Sequence, residues 1–594
     1  MRTHVVFLLI AVAGARAQAP PPFSPTAWFQ QHCATCHASG GAVRAPSPAA
    51  LRALTPEAVY AAITTGAMKD KAAGLSDAGR TALAEALTER KLGIAAVADA
   101  KAMSNPCASN PPISAGAAPV NGYGVDLANS RFIPPKAAGL TIDRVTNLQL
   151  KWAFGFPGVS QMLGQPVVAG DRLFVGAQSG YVYSLDASTG CVYWSFLADA
   201  GVRTAPVFGN AGERAALWFG DLKGNAYAID ARTGRPIWKV NLDPHVAARI
   251  TAAPAMYEGA VYFGVSSFEE VPAADPKYEC CTFRGSVAAL DANTGRKLWQ
   301  TYTIAEAPRP TRKNSAGTQL WGPAGGAVWG TPAIDPQHGA LYIGTGDAYV
   351  GPAAPTTDSI MALDLKTGAL LWAVQDLAND AWSLACFDPK SDGCPSPRGP
   401  DYDFAAALIL RELPDGKRLL LAGQKSGLVW AHDPDRKGAV VWKTDVARSR
   451  PNEAGEIVWG GAADDTSVYY GLSSGGVAAL DIATGKQKWL AAFNGSGEHA
   501  GSPGAVTAIR GVVFSGGLDG LLRALATEDG RIVWDYDTKQ TVRTVNGVKA
   551  SGGSVGAPGP VIANGMVYIE SGFVGVVSGA PGNLLLAFSA PAAP

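Results

Sequence analysis

From about residue 150 onward the chain alternates short apolar runs with small polar turns. The run Tyr181-Val182-Tyr183-Ser184-Leu185 leads directly into Asp186-Ala187-Ser188-Thr189-Gly190 and then Trp194. An apolar run bounded by an Asp/Thr-Gly turn predicts a strand, a tight turn and a second strand carrying the Trp. The phrase returns from Asp230 to Trp238, Asp291 to Trp299, Asp364 to Trp372 and Asp481 to Trp489. It recurs with one extra residue from Asp433 to Trp442, and without its Asp from Ala526 to Trp534. Seven copies define a repeat protein of small antiparallel sheets.

The steps from Trp194 to Trp238 and from Trp489 to Trp534 match the length of one four-stranded propeller blade. Longer steps between Trp238 and Trp442 place inserted loops in the middle blades, where a site is expected. One such sheet cannot bury both faces, so each Trp is expected to pack between neighbouring blades while Asp and Thr satisfy turn backbone groups. Ring closure then removes exposed edges. The terminal strand from Gly582 to Phe588 has no Trp phrase after it. The count predicts an all-β propeller of eight blades over residues 121–590, its last blade completed by the stretch near Trp152.

The amino-terminal part differs. Residues 1–17 run from Arg2 and His4 through an apolar core to Ala15-Arg16-Ala17, the pattern of a secretory leader, which predicts a periplasmic protein. That core is too short to span a bilayer, so no membrane span is expected. Residues 19–100 contain Cys33-Ala34-Thr35-Cys36-His37, the C-x-x-C-H pattern of covalent haem c attachment, with His37 placed to ligate iron. A zinc site would need two further ligands nearby, and none is present. Met68, ahead of a helical-looking run from Leu75 to Leu92, is the expected sixth ligand, with Met103 the competitor. Met/His ligation suits electron transfer. These features predict a small α-helical class I cytochrome c domain, joined by a Ser/Asn/Pro-rich linker over residues 101–120.

Composition changes the picture in one respect. Without net charge the chain lacks the basic excess that nucleic-acid binding requires. The eight cysteines read as haem attachment plus disulfides in an oxidising compartment, with no partner evident for Cys107 or Cys191. Gly471-Leu472-Ser473-Ser474-Gly475 spells a hydrolase nucleophile pattern, but it falls in a propeller hairpin rather than a strand-turn-helix.

The segment from Asn121 to Phe132 and several ordered motifs after it resemble the pyrroloquinoline quinone (PQQ) alcohol dehydrogenases. With its amino-terminal cytochrome the chain resembles their polyvinyl alcohol dehydrogenase branch most. The resemblance implies a metal glutamate after Ser266-Ser267, with Glu270 favoured over Glu269. It implies a second ligand at Asp347, where the family carries an amide, and a catalytic base that also touches the metal at Asp380, in Asn379-Asp380-Ala381-Trp382. Trp329 matches the floor of the quinone site, and Thr251 and Ser267 match hydroxyls that bind the PQQ carboxylates, with Arg203 a further candidate. Lys425 matches the cation that hydrogen-bonds the quinone carbonyls. In the other hairpins of this frame that position holds no Lys. Cys280-Cys281 matches a vicinal pair that lies earlier in methanol- and ethanol-oxidising relatives, and Cys386 with Cys394 is expected to close a loop disulfide. Lanthanide-using relatives carry an extra Asp two residues beyond the catalytic one; here that residue is Trp382, so calcium is implied.

The expected function is oxidation of alcohols, secondary or polymeric ones foremost, with PQQ, calcium and haem c. Electrons would pass to an external acceptor such as a soluble cytochrome c. A sugar dehydrogenase and a non-catalytic propeller scaffold are the alternatives.

Overall fold

This computed structural model describes residues 24–37, 51, 54, 56–88, 92–93, 97–114, 120–388, 390–447, 455–493, 501–574 and 579–591. The expected leader, residues 1–17, lies outside them. Eight antiparallel sheets form the blades of the propeller. Blade one is Val167–Ala169, Arg172–Gly176, Tyr181–Asp186 and Val192–Leu197, in that order. Blade eight takes Val561–Ala563, Met566–Val574 and Gly579–Ser589 from the end of the chain, and its outer strand Gln149–Gly155 from ahead of blade one. Gln149 pairs with Ser589, which closes the ring as the terminal strand and Trp152 predict.

The recurring phrase is the joint between blades. The Trp194 indole donates to the carbonyl of Ala231 in the next blade at 3.1 Å, and Trp299, Trp442 and Trp489 likewise reach Leu365, Ile482 and Thr527. Trp534 donates to Leu148, and Trp152 to Ala187, which carries the chain of contacts across the closure. The turn Gly must be Gly for two reasons. Gly234 has φ +69°, and a Cβ there would sit 2.7 Å from the Trp194 ring. Within the turn the Asp carboxylate takes both the Thr amide and the Thr hydroxyl, each at 2.8 Å in blade two.

Departures from the regular blade fall where inserts were expected. The innermost strand of blade three is split into Ala248–Arg249 and Ala255–Tyr257, both paired to Ala260–Ser267, and Thr251 lies in the break. A hairpin of Arg309–Lys313 and Gln319–Gly322 stands between blades three and four. Residues 376–408 form a long insert before blade five. The 3-10 turns Pro272–Ala274 and Leu384–Phe387, one from each major insert, pack against each other.

In the amino-terminal region, helices Pro25–His32, Ala34–His37, Pro56–Thr64 and Asp77–Thr88 surround a small apolar cluster that includes Phe29, Ile63 and Leu83. Cys33 and Met68 both pack against that cluster, while the Cys36 side chain lies outside the described residues. Met103 is instead buried in the propeller core, its sulfur 4.0 Å from Asn546 Nδ2, so it is no competitor for a haem held by Cys33 and His37. Cys107 and Cys191, which sequence left without partners, form a disulfide that pins residues 101–114 along blade one.

Replacing Trp194 separates the two parts of its joint. Trp194→Phe should cost about 1 kcal/mol for the lost hydrogen bond, and Trp194→Ala about 3–5 kcal/mol for the cavity as well. Denaturant titration of both variants measures the difference, and equal small losses would contradict the joint.

Candidate active site

The apolar strands of blades three to five end in loops that bring carboxylates together around one lysine. Lys425 follows Arg418–Gly423 at the mouth of a hairpin, and its stem lies against Gly455, where a Cβ would meet Cγ at 2.6 Å. Its Nζ sits 2.7 Å from Asp401 Oδ1 and 2.6 Å from Asp403 Oδ2, and 5.2 Å from the centroid of the Trp329 ring. Burial works against the ammonium, but Asp401 and Asp403 hold its pKa well above the usual lysine range. Asp403 Oδ1 accepts from the Asp347 amide at 2.7 Å. One oxygen from each of Asp347, Asp401 and Asp403 lies within 4.8 Å of the others, the spacing a bound cation needs.

Glu270 faces this group and Glu269 does not. Both Glu269 oxygens are used by the amides of Thr282 and Phe283, with Tyr278 and His245 adding contacts, so it anchors the insert instead. Burial lifts Glu270 to about 7, against the pull of Lys425 and with Asp403 adding to the rise. Asp347 is pushed well above the carboxylate range by burial and then by Asp403 and Asp401, and its Oδ2 has no partner among the described residues. Asp358, another buried carboxyl beside Asp403, has neither oxygen partnered among them.

The expectation for Asp380 is corrected here. Asp380 is fully buried, and its two oxygens accept from the amides of Asp401 and Tyr402 at 3.1 and 2.8 Å. It holds the loop that presents Asp401 and Asp403, and it is not in the metal-sized group. Trp382 packs edge-on against Phe387 and is likewise not in the metal-sized group. The residue two positions beyond the carboxylate facing Lys425 is therefore Asp403. The signal in the sequence is the close pair of carboxylates in Asp401-Tyr402-Asp403; Asp401 takes a left-handed backbone, φ +60°, and both carboxylates reach Lys425.

Around Trp329 the remaining expected residues assemble in part. Trp329, Thr251 and Arg203 line one cleft with Trp459. Thr251 Oγ1 is 2.8 Å from Ser266 Oγ rather than Ser267, because successive strand residues face opposite ways. Ser267 turns to the Tyr349 hydroxyl at 3.2 Å. Tyr349 is raised well above its usual range by burial, then by Glu270 and Asp347, and was not anticipated. Arg203 and the unanticipated Arg249 are both lowered to about 10 by burial; neither is ion-paired among the described residues, and each has an Nε without a partner there. Two buried unneutralised guanidiniums fit the carboxylates of PQQ, and the flat Trp329 ring fits its plane. Cys280 and Cys281 are bonded to each other and share a core with Trp329 and Tyr349; Cys386 and Cys394 are also bonded.

Residues 121–386 match the glucose/ethanol/alcohol dehydrogenase β-propeller domain, residues 425–586 the outer membrane protein assembly factor BamB, and residues 23–85 the cbb3-type cytochrome c oxidase subunit III. The crystal structure of quinohemoprotein alcohol dehydrogenase from Comamonas testosteroni aligns with a TM-score of 0.61 at 19% identity, over 85% of each chain. These matches, together with two relatives that align over nearly the whole chain, define a PQQ-dependent alcohol dehydrogenase that carries a cytochrome c domain. The chain is 39% identical to the polyvinylalcohol dehydrogenase of Sphingopyxis sp. (strain 113P3), covering 94% of itself and 92% of that protein. It is 36% identical to that of a Pseudomonas sp., covering 98% and 96%. The chain belongs to the polyvinyl alcohol dehydrogenase family.

A bound cation needs deprotonated ligands. With Glu270 titrating at about 7, the protonated fraction grows below that pH, so metal uptake should release protons and weaken as pH falls through about 7. Calorimetric titration of metal-free protein in two buffers of different ionisation enthalpy tests this. Identical apparent heats at pH 6.5 would show that no proton leaves.

Proposed function

We propose that the protein oxidises secondary hydroxyls of alcohols and of polyvinyl-alcohol-like polymers, and sends the electrons through its haem c to an external one-electron acceptor such as a soluble cytochrome c. The observation that carries this reading is the group of carboxylates gathered on Lys425 above Trp329. The substrate class is supported by the names of the two full-length relatives. A periplasmic location is supported by the leader pattern of residues 1–17 and by the three disulfides among the described residues. No helix among the described residues is long and apolar enough to cross a membrane.

When bound, PQQ would supply a two-electron acceptor, a hard cation Lewis acidity, and haem c a one-electron acceptor. The residues of the chain do the rest. Asp401 is the general base: its Oδ1 is held by Lys425, and its loop is fixed through Asp380, so the carboxylate is oriented before substrate arrives. Lys425 holds its ammonium over the Trp329 face, where it would stabilise negative charge on a cofactor resting there. Arg203, Arg249, Thr251 and Ser266 would hold the cofactor's carboxylates. His37 and Met68 would ligate the haem iron, and Cys33 and Cys36 would tether the porphyrin.

Asp401→Asn should lower kcat on a secondary alcohol by about two to four orders of magnitude. Asp380→Asn should instead act through the loop, lowering metal affinity along with turnover. Near-normal kcat in Asp401→Asn would reject the base assignment, and activity on primary alcohols or glucose alone would reject the substrate class.

Glu270, Asp347, Asp401 and Asp403 would hold the cation. An all-oxygen set suits calcium, but the ground for preferring it to a trivalent ion fell with Trp382. Four carboxylates facing a single ammonium make a strong negative field, so a trivalent ion of calcium's size should bind more tightly. Terbium added to the calcium-loaded protein should displace calcium and show emission sensitised by nearby tryptophan. Failure to displace it would refute the charge argument.

A further inference from the structure

We propose that two adjoining clefts, one between the 309–322 hairpin and the 376–408 insert and the other between blades three and four, form a binding groove for a stretch of polymer chain extending away from the reacting hydroxyl. This deepens the substrate reading above and rests on it.

The first cleft has a volume of about 650 Å³ and is lined by Thr311, Val350, Cys386, Cys394 and Arg398 among others. The second has about 570 Å³, with Pro323, Pro352, Pro355, Met361 and Leu370 in its wall. They meet at Thr311 and Gly351, which line both. Either one alone is the size of a small-molecule pocket, and a single small alcohol needs only one.

The first cleft is close to the catalytic group along the chain. Val350 lies three residues after Asp347, and Arg398 three before Asp401; three residues of extended chain span about 10 Å. The Leu384 amide donates to the Glu270 carbonyl at 3.2 Å, and Cys386 follows two residues later. Three segments thus run from the carboxylate cluster into the wall of the first cleft.

The lining matches a neutral polyol. In the second cleft the charged residues are Glu306 and Arg309, which pair with each other at 3.2 Å. In the first, Arg398 and Arg312 donate to the carbonyls of Cys386 and Asp392, and the carboxylates of Asp388 and Asp392 take the amides of Lys390 and Ser315, so that two cations stand with two anions. Both linings are thus neutral overall, with proline, methionine and leucine interspersed with threonines between the charged residues. A chain that alternates methylene with hydroxyl-bearing carbon meets both kinds of surface, whereas a charged polysaccharide would meet no net opposite charge. Leu370 in the second cleft is 49% exposed, and Phe387, next to Cys386 at the rim of the first, is 52% exposed. Those apolar side chains fit a long amphipathic substrate.

The experiment uses the full-length holoenzyme and two variants outside the catalytic group. Thr311→Trp fills the junction of the clefts. It should raise KM for polyvinyl alcohol by about tenfold or more while leaving kcat and KM for 2-pentanol nearly unchanged. Leu370→Cys gives a second readout that needs no turnover: polyvinyl alcohol should slow maleimide alkylation of the new thiol, and 2-pentanol should not. An unchanged polymer KM in Thr311→Trp, or equal alkylation rates with and without polymer, overturns the groove. Loss of wild-type activity on both substrates would sink the substrate reading, and alkylation would still decide the groove on its own.

Discussion

The structure depends on the tryptophan joint between neighbouring blades. Each sheet is too small to fold alone and has to be held to its neighbours. The joint supplies what they share: an indole donating across to the next blade, lying on a glycine that has no side chain to obstruct it. Because the contact recurs around the ring and across the closure, the loops above it are free to vary. Blades three to five vary most, with the split inner strand, the extra hairpin and the long insert. The functional residues gather there.

That division explains what was legible in the sequence. The propeller, its eight blades and its closure near Trp152 follow from a local phrase repeated at blade spacing, and local patterns survive in a single sequence. The site is a matter of loop conformation. Lys425, Glu270, Asp347 and Trp329 meet as their motifs imply, because each is fixed to the end of a regular strand or a short turn. Asp380 was misplaced because its motif sits at the start of a long insert, and only the folded path reveals that its carboxylate is spent on the amides of the Asp401 turn. The Cys107–Cys191 bond was invisible for a related reason: nothing local marks two cysteines 84 residues apart as neighbours.

The site is also where the fold accepts the largest electrostatic cost. Burying a carboxylate without a counter-charge is unfavourable, yet Asp347, Asp358, Asp401, Asp403 and Glu270 are drawn close around one lysine. Such an arrangement opposes its own folding unless a cation completes it. Opposite in sign, Arg203 and Arg249 are buried without an ion pair among the described residues. Arg203 lines one cleft with Trp329 and Lys425 lies near the same ring, so a flat anionic cofactor with a bound cation would meet both charge imbalances.

The closing strand carries a consequence for how the protein is made. The outer strand of blade eight, Gln149–Gly155, leaves the ribosome ahead of every other blade strand but the short Phe132–Ile133, and its partner Gly579–Ser589 is the last of the blade strands to emerge. Throughout synthesis the growing ring has two open sheet edges, the surfaces most prone to pair with a foreign strand. The haem-bearing segment is exposed well before the ring can shut, so haem attachment can be finished on a chain whose dehydrogenase half is still open. A chain cut short anywhere in the last blade would never seal, and would present quality-control proteases with an unpaired strand at each end.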